Sequence, residues 1–238
     1  MDHIPRRGFA LKRKYVYDRV DTIVTERLFT VQEKGLYIAL DGIDGCGKST
    51  QCMKLAEHFG SLGRTVLLTR EPGGTEIGAE LRSRLLSSKY DLEPESEMML
   101  FFVDRLEHLT KKVIPALNEG MVVISDRFTA STYAYQVYGR GIDESIYSNL
   151  ADLALKRVPD IALIIDSEPI TCVARARERL SQTGTEEAEG KFEQLPYEFF
   201  VNVRNGFMKF AEQNPYTKII DGMGSVDDIF ARILSNIK

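Results

Sequence analysis

Apolar positions fall into short continuous runs separated by stretches of helical period. "LYIAL" (36–40), "TVLLT" (65–69), "MVVIS" (121–125), "IALIID" (161–166) and "TKII" (217–220) read as strands. Between and after them, 48–62, 76–88, 95–119, 143–157, 169–180, 196–213 and 225–237 read as helices. Strands that are apolar along nearly their whole length belong in a parallel sheet covered on both faces. The pattern therefore predicts an α/β fold with five parallel strands and helices on both sides. One polar interruption, "SQTGTEEAEGK" (181–191), is too long for an ordinary connection of this class and reads as a lid over a site.

Residues 1–34 stand outside this alternation. They hold eight Lys/Arg against five Asp/Glu, which gives +3 and leaves −7 for the rest of a chain of net charge −4. "KYVYDRVDTIVTERLFTV" is rich in β-branched and aromatic residues and reads as a strand or hairpin. Its acidic residues argue against a transit peptide. The expectation is an appended structural or dimer-forming piece before a domain spanning 35–238.

Composition narrows the function. With 238 residues, 43% of them hydrophobic and 28% charged, the chain suits one globular domain with a sizeable core. No apolar run approaches the ~20 residues of a membrane span. The net charge points to no general nucleic-acid surface. Cys46, Cys52 and Cys172 form no metal pattern and suit the reduced thiols of a cytoplasmic protein.

The chemistry is concentrated in "GIDGCGKST", Gly42 to Thr50, which fits G-x-x-x-x-G-K-[ST] between an apolar strand and a helix. This P-loop predicts a nucleoside triphosphate site formed by Gly42, Ile43, Asp44, Gly45, Cys46, Gly47, Lys48, Ser49 and Thr50. Its glycines let successive backbone N–H groups turn toward phosphate. Lys48 reaches the β- and γ-phosphates and the Ser49 hydroxyl suits Mg²⁺. Ligands of a doubly wound sheet gather outside the carboxyl ends of the strands, where charge follows here. Asp126 ends a strand as a Mg²⁺-organising carboxylate does. Arg70 and Arg127 offer two guanidinium forks to a phosphate dianion, although either alone would equally suit a surface ion pair. On helix 95–119, Phe101 and Arg105 share a face, where a ring and a guanidinium could hold a base. Spacing alone favours Phe101 and Phe102 as core residues, and identifies no base.

Taken in order, "DGIDGCGKSTQ", "TREPGGTEIGAELR", "MLFFVDR", "EGMVVISDRF", "STYAYQVYGRG", "PDIALIIDSEP" and "RARERL" resemble the bacterial-type thymidylate kinases of the P-loop nucleoside monophosphate kinase group. The likeness spans about residues 35–238. It implies transfer of the ATP γ-phosphoryl group to dTMP with Mg²⁺, for dTTP synthesis, by a homodimer. By the same resemblance Asp44 meets the acceptor's 3′-hydroxyl, and Arg70, Arg82 and Arg127, with Glu71 nearby, clamp its phosphate. Phe101 stacks on thymine, Arg105, Thr132 and Gln136 read the base edge, and Tyr135 packs beneath the sugar. The lid, about 175–195, supplies Arg175 near adenine and Arg179 near the transferred group from an Arg175–Arg177–Arg179 run. Lys48, Asp44, Arg127 and Arg179 are the expected catalytic set.

Two departures stand out. Phe128 replaces the family's usual Tyr or His, and the lid's usual "DR-x-E" is "GKFE" at Gly190 to Glu193. With only a thiol at Cys46 in mid-loop, a second cation is expected from the lid, from Arg179 with Lys191 as a reserve. Competing readings are a kinase for another nucleotide or a nucleoside, and a nucleotide-binding module without catalysis. A nucleoside would leave Arg70 and Arg127 without a ligand.

Overall fold

The computed structural model describes residues 34–237, so the expectations for the leader lie outside the described residues apart from Lys34. The five predicted strands form: β1 Leu36–Asp41, β2 Val66–Arg70, β3 Val122–Asp126, β4 Ile161–Asp166 and β5 Thr217–Asp221. They make one parallel sheet in the order β2-β3-β1-β4-β5. The register sets Leu40 and Arg70 level with Asp126, so β1, β2 and β3 end together.

Alternate residues of β1 serve the two faces. Ile38 and Leu40 join a large core that includes Leu55 from α1 (Lys48–Ser61). Tyr37 and Ala39 join a smaller one with Leu109, Val113 and Ala116. The expectation of strands buried on both faces holds for the middle of the sheet. At its two edges Leu68 of β2 and Ile219 of β5 are exposed, because an edge strand has cover over only part of its surface.

Helix α2 spans Glu76–Leu85, and α3 spans Pro94–His108. The predicted helix 95–119 continues from α3 through a π-helical turn, Leu109–Val113, into α4, Ile114–Asn118. Pro115 accounts for the turn: lacking an N–H, it cannot join the ordinary ladder, and Ile114 instead donates five residues back to Leu109.

The longest helical stretch without a counterpart in the sequence reading follows β3. After β3 the chain forms α5 (Thr129–Thr132) and a π-helical segment, Tyr133–Gly139. No local side chain caps it. Its cap comes from β1, where Asp41 Oδ1 accepts from Phe128 N (3.1 Å), Ser131 N (3.0 Å) and the Ser131 hydroxyl (2.5 Å). The segment lies against α9 (Tyr197–Gln213) at Gly206, where an added Cβ would fall 2.8 Å from Ala134 Cα. Further helices are α6 (Glu144–Ala154), α7 (Pro169–Thr183) and α10 (Val226–Asn236).

The lid stretch is more ordered than its composition suggests. Helix α7, expected to stop near 180, runs to Thr183 and ends at Gly184, whose left-handed backbone (φ 65°) caps it. A single turn, α8 (Glu186–Glu189), follows. The stretch docks on the end of α2 through Ser88 N to Glu187 O (3.0 Å) and Lys191 N to Leu86 O (3.1 Å).

Candidate active site

The P-loop leaves β1 at Asp41 and enters α1 at Lys48. Gly45, at φ 88°, has no room for a side chain because its α-carbon lies against the Cys172 carbonyl of α7. Lys48 is buried and folded back on the loop, its ammonium 3.0 Å from Gly42 O and 2.9 Å from Ile43 O. Ile43 and Cys46 turn into the core. Burial pushes the Cys46 thiol up, so it is a packed, unreactive group.

Beside the loop, Ser49 Oγ donates to Asp126 Oδ2 at 2.6 Å. This is an oxygen-only pair, and among the described residues no group of three or more His, Cys, Asp or Glu side chains could hold a metal. Two oxygens and room for phosphates and water fit Mg²⁺, which prefers such sparse protein ligation.

Asp44 joins the loop to the capped helix. Its Oδ2 lies 2.7 Å from Arg127 Nη2 and accepts from the Tyr135 hydroxyl at 3.1 Å. Burial alone would raise this carboxyl, but Arg127 and Lys48 overcome that and hold it well below the usual range. Arg127 also donates to Gly42 O (3.0 Å) and Ser131 Oγ (2.7 Å), and lies 5.3 Å from the Tyr135 ring.

Two adjoining pockets open here. The first lies on the side of α3 and the capped helical segment after β3. Phe101, Arg105, Phe128, Thr132, Tyr135 and Gln136 wall it. The second contains Lys48, Ser49, Thr50, Arg70, Asp126 and Arg175. Asp44, Glu71, Arg82, Arg127, Arg179 and Glu189 line both.

The wall of the first pocket is built by ion pairs behind it. Arg105 is buried between the Phe102 and Phe128 rings, 5.2 Å from each, with Nε 2.8 Å from Glu71 Oε2. His108 Nδ1 holds the other Glu71 oxygen at 2.8 Å, and its Nε2 lies 2.7 Å from the Thr69 hydroxyl. Glu71 is thus committed to Arg105 and His108, not to the guanidiniums at the strand ends. Phe102 is core, whereas Phe101 faces the pocket, so the two rings divide between the roles weighed for them.

The lid contributes from above. Arg82 donates to Glu189 (3.1 Å), and Arg177 donates to Glu193 O (2.7 Å), which ties the returning strand of the lid to α7. Glu193 is buried in the first pocket, and burial and the neighbouring Asp44 charge push its carboxyl up to about 7. Lys191, a reserve cation in the sequence reading, turns away: its ammonium is 2.7 Å from Glu97 Oε2 on α3. Its flexible stem reaches a fully buried carboxylate, which draws it from the phosphate side.

Nearly every residue singled out from sequence therefore converges on the two pockets; Ile43 and Cys46 support the loop from the core side. Asp41, Glu97, His108 and Phe192 were given no role from sequence, and Glu193 was noted only as the end of the altered lid motif. Of these, His108 alone carried a local signal, three positions beyond Arg105 on the same helix.

A sequence model of the thymidylate kinase family matches residues 40–233. The chain is 40% identical over 205 residues to a thymidylate kinase of Oleidesulfovibrio alaskensis, covering 85% of this chain and 97% of that one. It is 41% identical over 197 residues to a thymidylate kinase of Solidesulfovibrio magneticus, with 82% and 94% covered. The crystal structure of thymidylate kinase from Ehrlichia chaffeensis superposes with a TM-score of 0.70 at 32% identity, covering 86% of this chain and all of that one.

Proposed function

The chain belongs to the thymidylate kinase family, and we propose that it phosphorylates dTMP to dTDP with ATP, the first pocket holding dTMP and the second the ATP phosphates. The observation that carries this reading is the shared wall. Asp44, Arg82, Arg127 and Arg179 line both pockets, so two phosphates drawn to those guanidiniums would meet end to end.

In that arrangement an oxygen of the dTMP phosphate attacks the γ-phosphorus in line, the bond to the bridging oxygen breaks, and ADP leaves. The attacking dianion carries no proton, so no general base is needed. What remains is positioning, exclusion of water and neutralisation of charge. Arg70, Arg82 and Arg127 hold the acceptor phosphate. Lys48 exchanges the Gly42 and Ile43 carbonyls for phosphate oxygens. Arg175 and Arg179 approach from the lid, and Asp44, kept ionised, orients both Arg127 and the 3′-hydroxyl. Phe101 stacks on the base, Tyr135 underlies the sugar, and Thr132, Arg105 and Gln136 meet the base edge. Ser49 and Asp126 would hold Mg²⁺, which supplies positive charge to the bound phosphates.

The same reading includes a homodimer. Ile77 of α2, Met99 and Val103 of α3 and Leu153 of α6 are exposed apolar residues on helices that pack side by side. A partner copy covering them would remove that surface from water. A cytoplasmic location suits three buried free cysteines, and no helix among the described residues is long and apolar enough to cross a membrane. Coupled detection of ADP release tests the activity: dTMP should be the preferred acceptor over CMP, AMP and GMP. Equal rates with all four would refute the pocket assignment, and no transfer to any would refute the kinase reading.

A further inference from the structure

We propose that Glu97, which lines neither pocket, is a positioning residue that fixes the hydrogen-bond polarity of the base site through Gln136. The proposal rests on the first pocket being the base site. Glu97 is fully buried in the first turns of α3, directly behind Gln136. Oε1 accepts from Gln136 Nε2 (3.0 Å) and Arg140 Nε (3.3 Å). Oε2 takes Arg140 Nη2 (3.2 Å) and the Lys191 ammonium (2.7 Å).

A carboxylate held between two cations only accepts, and all its acceptor positions are in use. Gln136 must therefore turn its NH₂ group to Glu97, because a flipped amide would set oxygen against oxygen. Gln136 lines the first pocket, and its Oε1 is then left buried and without a hydrogen-bond partner. Arg105 mirrors this: Nε is committed to Glu71, and Nη1 is buried without a partner. The wall so presents one donor and one acceptor. The 4-oxo, N3–H edge shared by thymine and uracil complements that pair, whereas cytosine offers an amino group and a bare ring nitrogen. Lys191 comes from the lid, so the carboxylate that sets the amide also receives the closed lid.

Acceptor selectivity tests this directly. The kcat/KM for dTMP, dUMP and dCMP is measured for the wild type, Glu97→Gln, Gln136→Leu and the double variant. Wild type without dTMP activity would overturn the functional reading itself, before any variant is compared. Glu97→Gln keeps shape but can donate as well as accept, which frees Gln136 to flip. The dTMP:dCMP ratio should fall at least tenfold, mainly through KM, with dUMP falling in parallel with dTMP. In the Gln136→Leu background the same change should move the ratio less than twofold, because Glu97 acts through that amide. A merely structural role would lower the melting temperature and leave the ratio unchanged, or alter it equally in both backgrounds. Either result overturns the proposal. Should Glu97→Gln not fold, Glu97→Asp draws the carboxylate back from Gln136 and takes its place, with the same expected fall and an unchanged ratio again decisive.

Discussion

Asp44 and Arg127 meet at 2.7 Å on the wall between the two pockets, and Arg127 holds its place with a left-handed backbone (φ 77°). Few non-glycine residues adopt that conformation, and it persists where surrounding contacts over-determine it. Here those contacts are Gly42 O and Ser131 Oγ as well as Asp44. A lysine has one ammonium and cannot span all three. Arg127→Lys should fold normally and lose about 10²–10³ in kcat/KM for dTMP, the scale of removing one preorganised donor. Retention of more than a third of wild-type kcat/KM would show that Arg127 is not in the transfer site.

Lys48 serves the loop before it serves a ligand. Its ammonium satisfies two loop carbonyls, so Lys48→Ala should cost about 0.5–1.5 kcal/mol in urea unfolding of the free protein. Turnover should drop by orders of magnitude, because the charge on the phosphates loses its nearest cation. Saturating ATP should stabilise the wild type markedly more than the variant. Near-normal turnover in a folded variant would contradict phosphoryl transfer at this loop.

What the sequence made legible was whatever is encoded locally. Continuous apolar runs revealed all five strands, and the spacing from Gly42 to Thr50 revealed the phosphate loop. Helix α5 and its π-helical continuation were illegible because their cap, Asp41, comes from another strand and their turns lack the 3.6-residue period. Glu97 and Glu193 were hidden for a related reason. A single acidic residue in a charged chain reads as surface; Glu97 is buried with cations brought from Arg140 and Lys191, and the Asp44 charge that keeps Glu193 protonated also comes from far away in sequence. The direction of Lys191 likewise needed the position of Glu97.

Glu193 gives the free protein a specific pH dependence. Its carboxyl rises from an ordinary 4.5 to about 7 in the fold, so between those values the native state binds the proton and the unfolded chain does not. Stability should therefore fall as pH rises through that window, the benefit being complete below 4.5 and gone above 7. Asp104, pushed up to about 6 by burial and by Glu71, adds the same sign at lower pH. Glu193→Gln keeps a neutral side chain throughout. In urea titrations it should match the wild type at pH 4 and exceed it at pH 8 by about 1–3 kcal/mol, since each unit of displacement corresponds to about 1.4 kcal/mol. Parallel stability curves for the two proteins would show that Glu193 is ionised at neutral pH.

On the proposed reading, Arg179 is the expected source of the remaining positive charge for the transferred group. Cys46 occupies the middle of the phosphate loop but packs in the core, so the loop offers no cation beyond Lys48. Lys191 is committed to Glu97. Arg177 is committed to the backbone of the returning lid. Arg175 lines only the phosphate-side pocket, whereas Arg179 lines both. Charge on the moving phosphoryl oxygens is greatest in the transition state, and an arginine supplied there is worth ~10³–10⁵ in rate. Arg179→Ala should accordingly lower kcat far more than it raises the KM for dTMP, since its contact strengthens only as transfer proceeds. Arg175→Ala should chiefly raise the KM for ATP. Steady-state kinetics with each substrate varied in turn separates the two. If Arg179→Ala changes KM alone, Arg179 is a binding group and the transition state takes its charge from Arg127 and Lys48.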